Sequence, residues 1–81
     1  MKATVLIRPK EGILDPQGEA VGDALRTLGF AVTGARVGRL VDVQVDTDDP
    51  AEARAALDRM SHELLANPLI ESFTIELGDE G

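Results

Sequence analysis

The sequence contains no cysteine, no tryptophan and no tyrosine in its 81 residues. The lack of cysteine excludes disulfide bonds, and it excludes a thiol that could bind a metal ion or act as a nucleophile. A chain of this length buries only about 60–65% of the surface that it exposes when unfolded, so a lone monomer would be marginally stable. We therefore expect the chain to enlarge its core by forming an oligomer.

Positive charge is also scarce, since 15 acidic residues outnumber 8 basic ones and the net charge is -7. Proteins that bind nucleic acid are normally basic, and an anionic membrane surface would repel this chain. No apolar run reaches the roughly 18 residues that a membrane span needs, and the N-terminal apolar stretch is too short for a signal peptide. These absences predict a cytoplasmic protein with neither a nucleic-acid partner nor a membrane partner.

The length predicts a single domain over residues 1–81, and strand patterns mark both of its ends. Residues 2–8 are apolar and rich in β-branched side chains, which favours a strand. Leu6 lies on the opposite face from the other apolar side chains, so we expect this strand to be covered on both faces. The alternating pattern of residues 69–77 predicts the last strand.

The first helix is predicted from Pro16 to Leu28. Asp15 is a suitable N-cap because its carboxylate can accept hydrogen bonds from the free amides of the first turn, and proline fits the first helical position. Gly29 suits a left-handed residue at the C-terminal end, and Phe30 completes a Schellman-type ending. One face of the helix carries an apolar stripe, formed by Val21, Ala24, Leu25 and Leu28.

Gly18 is unexpected in the first turn of this helix, where glycine costs up to about 1 kcal/mol relative to alanine. We expect that a side chain here would block a close backbone contact, either with a neighbouring subunit or with the adjoining loop. Gln17 is predicted to reach outward beside it. The stretch DPQG is therefore a candidate docking point.

Residues 32–46 predict either one long strand bent at Gly38 or a hairpin with Gly38 and Arg39 in its turn. Five apolar side chains keep one parity throughout, which favours the single strand: Ala35, Val37, Val41, Val43 and Val45. At about 3.3 Å per residue the segment spans roughly 50 Å, whereas a compact domain of this size has a radius of gyration of about 12 Å. The strand must bend sharply or pair with a second chain, and we expect a dimer whose strands cross between subunits.

A second helix is predicted from Pro50 to about residue 66, where an Asn-Pro pair stops it. Asp49 is its N-cap, and Glu52 is placed to complete a capping box. The elements follow the order β-α-β(β)-α-β. This order predicts an α+β two-layer sandwich related to ferredoxin-like folds, with a long bent central strand.

Few side chains are suited to catalysis. His62 is the only histidine and falls opposite the apolar stripe of the second helix, which indicates a solvated residue. The acidic run at 46–49 lacks the glycine and the glutamate that an EF-hand loop requires, and the sequence has no phosphate-binding glycine motif. Four basic residues outside the helices could pair with an acidic partner surface: Arg8, Lys10, Arg36 and Arg39. The sequence thus predicts no catalytic, cofactor or metal site, and it favours a dimerising module that acts by contact.

Three stretches resemble one family, in the same order and over most of the chain: EGILDPQGEAVGDALRTLGF (11–30), ARVGRLVDVQVD (35–46) and LLANPLIESFTIEL (64–77). They are similar to the PurS family of subunits of bacterial phosphoribosylformylglycinamidine (FGAM) synthase. The resemblance implies a PurS-like fold and a place in purine biosynthesis. That synthase converts formylglycinamide ribonucleotide (FGAR), glutamine and ATP into FGAM, glutamate, ADP and phosphate.

The resemblance further implies a small, non-catalytic subunit of an ATP-dependent glutamine amidotransferase and ligase. In such a complex a glutaminase subunit, PurQ, releases ammonia, and a large synthetase subunit, PurL, uses ATP and magnesium. A PurS-like subunit bridges these two subunits and is thought to help ammonia pass between them. The chain itself is then expected to bind no cofactor.

Ten residues are candidates for contact with partner subunits or with a second copy of the chain. They are the motif positions and the two arginines beside them: Asp15, Pro16, Gln17, Gly18, Arg36, Val37, Gly38, Arg39, Asn67 and Pro68. We expect a homodimer or tetramer, and the sequence leaves open which of these forms and which face meets each partner. The alternative hypotheses are a ferredoxin-like small-molecule sensor similar to an ACT domain and a stand-alone enzyme that relies on carboxylates and His62.

Overall fold

The computed structural model describes residues 1–78, in which three strands and two helices alternate. In chain order these are β1 (Lys2–Pro9), α1 (Pro16–Thr27), β2 (Arg39–Gln44), α2 (Pro50–Met60) and β3 (Glu71–Leu77), with a π-helical turn (Ser61–Leu65) directly after α2. The strands form one antiparallel sheet in the order β2-β1-β3. The predicted α+β arrangement is confirmed. The predicted polar tail falls partly on residues 79–81, outside the described residues.

One face of the sheet forms the core together with α2. The central strand β1 places Val5 opposite Val41 on β2 and opposite Ile75 on β3, so the apolar residues of all three strands share this face. Val5 and Ile7 are almost completely buried there, and Leu57 of α2 packs against them. Burying a side chain of this kind contributes about 1.5–3 kcal/mol.

The end of α2 widens into the π-helical turn, which closes the core. The buried hydroxyl of Ser61 donates to the Leu57 carbonyl oxygen at 2.8 Å, so the polar group inside the core has a partner. The Ala66 amide then donates to the Ser61 carbonyl oxygen at 2.9 Å, which is the five-residue spacing of a π-helix. The predicted helix therefore has about the right length, but its last turn is not α-helical.

The opposite face of the sheet is open, which contradicts the prediction that β1 is covered on both faces. Leu6 and Thr4 of β1 lie on this face and are only partly buried. Thr4 stands opposite Asp42 and Glu76, and its hydroxyl donates to the Asp42 carboxylate at 2.8 Å. A face with these polar neighbours tolerates water, and antiparallel sheets commonly expose one face in this way.

The strand predicted over residues 32–46 is too long. β2 covers only Arg39–Gln44, and within the described residues the segment before it pairs with no strand, so the hairpin is not formed either. A Cβ atom on Gly38 would collide with the Ile7 carbonyl oxygen, so glycine permits the close approach at which the chain enters the sheet. β2 also lies at the edge of the sheet, since β1 occupies the centre. Parity of apolar residues shows which face they share, but it cannot show whether the backbone has a pairing partner.

The third strand also begins later than predicted. It starts at Glu71, and Leu69 lies in the preceding turn with 82% of its surface exposed. At the start of α2, the Asp49 carboxylate caps the Ala51 amide as expected. The predicted capping box is wrong, because the Asp49 amide donates to the Thr47 hydroxyl rather than to Glu52.

Helix α1 stands apart from the core. The Phe30 amide donates to the Leu25 carbonyl oxygen, and Gly29 has φ +98°, which confirms the predicted Schellman ending. The packed element pairs join β1 to both other strands and α2 to β3, and α1 is not among them. The radius of gyration is 15.8 Å, against about 12 Å for a compact chain of this length. In residues 1–78, neither helix is both long enough and apolar enough to cross a membrane.

Candidate functional site: a surface for partner contact

The predicted contact residues lie near one end of the sheet, where β1 ends and where β2 and β3 begin. Ile7 stands opposite Arg39 and Pro9 stands opposite Glu71, so the two outer strands start at the same end of the sheet. Most of these residues fall into two groups. The Asp15 cluster consists of Asp15, Pro16, Gln17, Gly18, Arg36 and Val37. The Arg39 cluster consists of Arg39, Asn67, Pro68 and, in addition, Glu71. Gly38 lies between the two clusters.

The carboxylate of Asp15 organises the first cluster. One oxygen, Oδ1, accepts the Gly18 amide at 3.0 Å and caps α1, as predicted. The other oxygen, Oδ2, accepts the Val37 amide at 2.9 Å, although Val37 lies 22 residues further along the chain. These two bonds, with that from Val37 the stronger influence, lower the pKa of Asp15, and the positive charge of Arg36 acts in the same direction. One ionised group thus joins the start of α1 to the segment that leads into β2.

Gly18 is required by the same junction. A Cβ atom at this position would lie 2.5 Å from the Ala35 carbonyl oxygen and 2.9 Å from the Arg36 Cα atom. The expected close backbone contact is therefore present, and it is made with a later segment of the same chain. Gln17 is exposed beside it, as predicted. The glycine thus serves a contact within the chain.

Gly22 lies one turn further along α1 and faces the same later segment of the chain as Gly18. It is buried, yet an added Cβ would meet only ordinary contacts, at 3.5 Å from the Arg26 guanidinium and 3.7 Å from the Ala35 nitrogen. The segment that ends at Val37 therefore crosses α1 most tightly at Gly18. Sequence reasoning did not select Gly22, although its four-residue spacing from Gly18 places both on one helical face.

The guanidinium of Arg39 organises the second cluster. It donates to the Glu71 carboxylate at 2.5 and 3.0 Å and to the Leu65 carbonyl oxygen at 2.5 Å. The Asn67 amide also donates to this carboxylate, at 2.7 Å. The hydrogen bond from Arg39, followed by that from Asn67, lowers the pKa of Glu71, and the carboxylate raises the pKa of Arg39. Arg39 therefore ties β2 to β3 and to the π-helical turn, and its charge is paired within the chain.

The Asn67-Pro68 pair forms a turn within this second cluster. The Asn67 side-chain oxygen accepts the Leu69 amide at 3.1 Å, and its backbone oxygen accepts the Glu71 amide at 2.7 Å. The Lys10 ammonium donates to the Pro68 carbonyl oxygen at 2.7 Å. These hydrogen bonds hold the Asn67-Pro68 turn in place. They also leave the side chain of Leu69 exposed beside them.

Glu71 was missed as a site residue, although the sequence carries a signal for it. It alternates with Phe73, Ile75 and Leu77 on the covered face of β3, and it is the only acidic residue among them. A carboxylate directed toward a core face needs a cation or hydrogen-bond donors. Arg39 has the matching parity on β2, but the separation of 32 residues hides the pair from any local pattern.

The remaining question is where the histidine and the carboxylates lie. Within residues 1–78, no three histidine, aspartate or glutamate side chains come together as metal ligands would. His62 is exposed, as predicted, and its Nδ1 lies 3.0 Å from the Asp58 carbonyl oxygen. Its ring meets Phe73 edge to face at a centroid distance of 5.2 Å. The imidazole thus packs at the border of the sheet.

The two glycines of α1 give a matched test of the tight crossing. Gly18→Ala should destabilise the protein, because its Cβ atom collides with backbone on the facing segment. Gly22→Ala should be neutral or stabilise the protein by up to about 1 kcal/mol, since alanine favours a helix. Denaturant unfolding of both variants measures these free energies. Equal effects of the two substitutions would contradict the tight crossing at Gly18.

The lowered pKa of Asp15 predicts a dependence on pH. The stabilisation from the ionised carboxylate is complete above the unfolded-state pKa of about 4, and it is lost as the pH falls through the still lower folded-state pKa. The difference in unfolding free energy between wild type and Asp15→Asn should therefore be largest at neutral pH and shrink below pH ~4. Asp48→Asn, in the loop before α2, is the control and should give a small difference throughout. A constant difference for Asp15→Asn down to pH ~2 would argue against the ionised junction.

Comparison with known proteins gives one consistent result. The family model described as PurS, phosphoribosylformylglycinamidine (FGAM) synthase, matches residues 2–79. The FGAM synthase subunit PurS of Methanocaldococcus jannaschii is 32% identical over 77 residues, covering 94% of this chain and 93% of the relative. The PurS subunit of Archaeoglobus fulgidus is 38% identical over 76 residues, covering 93% and 95%.

Solved structures agree with the sequence relatives. The crystal structure of Methanocaldococcus jannaschii PurS superimposes with a TM-score of 0.86 at 31% identity, covering 99% of this chain and 98% of that one. A chain in the structure of PurLQS from Thermotoga maritima also gives a TM-score of 0.86, at 25% identity and 93% coverage of both chains. The order of strands and helices, the family model and these relatives together show that the chain belongs to the PurS family of FGAM synthase subunits.

Proposed function

We propose that this chain is the small, non-catalytic subunit of a cytoplasmic FGAM synthase, where it contacts a glutaminase subunit (PurQ) and a synthetase subunit (PurL). The observation that carries the proposal is the family match over residues 2–79. The Thermotoga maritima relative was solved as part of PurLQS, which supports the assembly. In this proposal the synthetase subunit uses ATP and magnesium, and this chain helps ammonia to pass from one active site to the other.

The uncovered helix α1 supports a homodimer. In the apolar stripe of α1, Val21 is 42% exposed and Leu28 is 73% exposed, and among the described residues no strand and no other helix packs closely on α1. On the core face of the sheet, α2 packs with β3, whereas the β2 residues Val41 and Val43 remain partly exposed. Two copies can remove both exposed surfaces if each α1 covers β2 of the other copy. Burial of a stripe residue adds about 1.5–3 kcal/mol.

The free edge of β2 supports the same exchange. β2 pairs with β1 on one side only, and within the described residues its other edge has no partner. Within the described residues the extended segment before Gly38 has no strand partner either, so its backbone groups, apart from the Val37 amide that Asp15 binds, can pair with that edge in a second copy. Its strand-like parity then has a physical reason. The exchange satisfies the backbone and the apolar stripe together, and a tetramer would require a further interface.

The ACT-type sensor alternative is not favoured, because the family match and the relatives at full coverage all describe FGAM synthase subunits. The proposed dimer also explains why a chain without cysteine can be stable. A core shared between two copies replaces the stabilisation that small domains otherwise draw from disulfides or metals.

The proposed exchange predicts a dimer whose strength depends on the α1 stripe. Wild type should sediment as a dimer at micromolar concentration, and Val21→Glu should shift it toward monomer because a charge enters the shared core. Thr27→Glu adds the same charge on the polar side of the same helix, four residues after Asp23, and it should leave the dimer intact. Analytical ultracentrifugation of the three proteins makes the measurement. A wild-type monomer at all concentrations would contradict the exchange.

The proposed role predicts a specific dependence of activity on this chain. FGAM formation by the glutaminase and synthetase subunits should require the chain when glutamine is the nitrogen source. With ammonium salt in place of glutamine, the synthetase should need it far less, because no ammonia transfer is involved. Full glutamine-dependent activity without the chain would disprove the proposal.

A further inference from the structure

A groove lies on the open face of the sheet, at the end of the sheet where the Asp15 cluster and the Arg39 cluster meet. Its volume is about 480 Å³, and its lining includes Leu6, Arg8, Arg36, Gly38 and Leu40. The absence of a side chain at Gly38 keeps the backbone close to β1 there, which gives the groove its floor. The groove lies on the opposite face from α2, and the proposed exchange of α1 uses the face that α2 covers.

The charge of the groove is opposite to that of the molecule. The chain carries a net charge of -7, yet Arg8 and Arg36 both line this groove. Among the described residues, neither has a carboxylate within ion-pair distance, in contrast to Arg26, Arg39 and Arg59. Arg36 acts on Asp15 only through its field. Two guanidinium groups are thus available to a carboxylate from outside.

Apolar surface accompanies these arginines. Leu40 is 56% exposed beside the groove, and Leu6 is only partly buried. Toward the far end the same face carries both signs of charge, since Asp42 and Glu76 flank Thr4 on the two neighbouring strands and Lys2 lies two residues before Thr4 on β1. A negatively charged occupant is therefore attracted more strongly to the arginine end, which favours that position for it.

We propose that this groove binds an acidic segment of one of the larger subunits, with carboxylates on Arg8 and Arg36 and an apolar side chain on Leu6 and Leu40. The inference rests on the proposed function, because it assumes a protein partner. Arginine suits such a contact, since its guanidinium binds a carboxylate through two parallel hydrogen bonds. The overall negative charge disfavours a nucleic acid as the occupant.

The test reverses the charge of the groove and measures binding to the purified glutaminase and synthetase subunits, each alone and both together, at low and high salt. Arg8→Glu and the double variant Arg8→Glu/Arg36→Glu should weaken binding to one partner by about tenfold or more, and they should flatten its salt dependence. Arg54→Glu, an exposed arginine of α2 without an ion pair among the described residues, is the matched control and should change binding less than about twofold. Arg8→Glu alone also serves as the variant that leaves Asp15 undisturbed.

The outcomes separate the inference from the proposed function. If wild type binds neither larger subunit, the proposed function fails and the inference fails with it. If wild type binds and both groove variants bind equally well, only the inference is overturned. If Arg8→Glu instead dissociates the free protein into smaller oligomers, the occupant is a second copy of this chain, and the inference is likewise overturned.

Discussion

The carboxylate of Asp15 joins the first turn of α1 to the Val37 amide, and this junction determines the path of the chain between β1 and β2. The segment before Val37 is held against the glycine surface of α1, so the helix is bound to an extended strand-like segment. Among the described residues, the core face of the sheet is then covered by α2 and by the π-helical turn that follows it. The extended shape, the uncovered apolar stripe and the free edge of β2 all follow from where this junction directs the helix.

Charged side chains have two distinct roles at the end of the sheet where the Asp15 cluster and the Arg39 cluster meet. The pair of Arg39 and Glu71 holds the two outer strands and the π-helical turn together, and its charges are satisfied within the chain. Arg8 and Arg36 lie on the open face nearby without a carboxylate partner among the described residues. The motif residues thus mostly build this end of the sheet, and the basic groove beside them is the surface that we propose for contact with another subunit.

Local features of the fold could be predicted from the sequence, because their causes lie within a few residues. The Asp15 cap, the Gly29 ending and the alternation of β3 depend on side chains and backbone groups near one another. A close backbone contact at Gly18 was predicted, because glycine in the first turn of a helix is otherwise unfavourable. Its contact with Ala35 was not, because that contact depends on tertiary structure.

Long-range features could not be predicted for the same reason. The pair of Arg39 and Glu71 spans 32 residues, and its side chains meet only after β2 and β3 take their places beside β1. The strand predicted over residues 32–46 begins too early, because the parity of apolar residues does not show whether the backbone has a pairing partner, and β2 starts only at Arg39. The capping box predicted at Glu52 does not form, because the Asp49 amide donates to the Thr47 hydroxyl instead. Each error concerns a partner that a local pattern cannot specify.

Disulfide trapping in this naturally cysteine-free chain tests most directly whether α1 covers β2 of a second copy. One batch carries Leu25→Cys and another carries Val43→Cys, and the two are mixed, refolded together and oxidised. The proposed exchange predicts a disulfide-linked dimer that contains one chain of each kind. If the mixture yields no such dimer, and a chain with both substitutions forms its disulfide internally as a monomer, the helix covers its own sheet and the exchange does not occur.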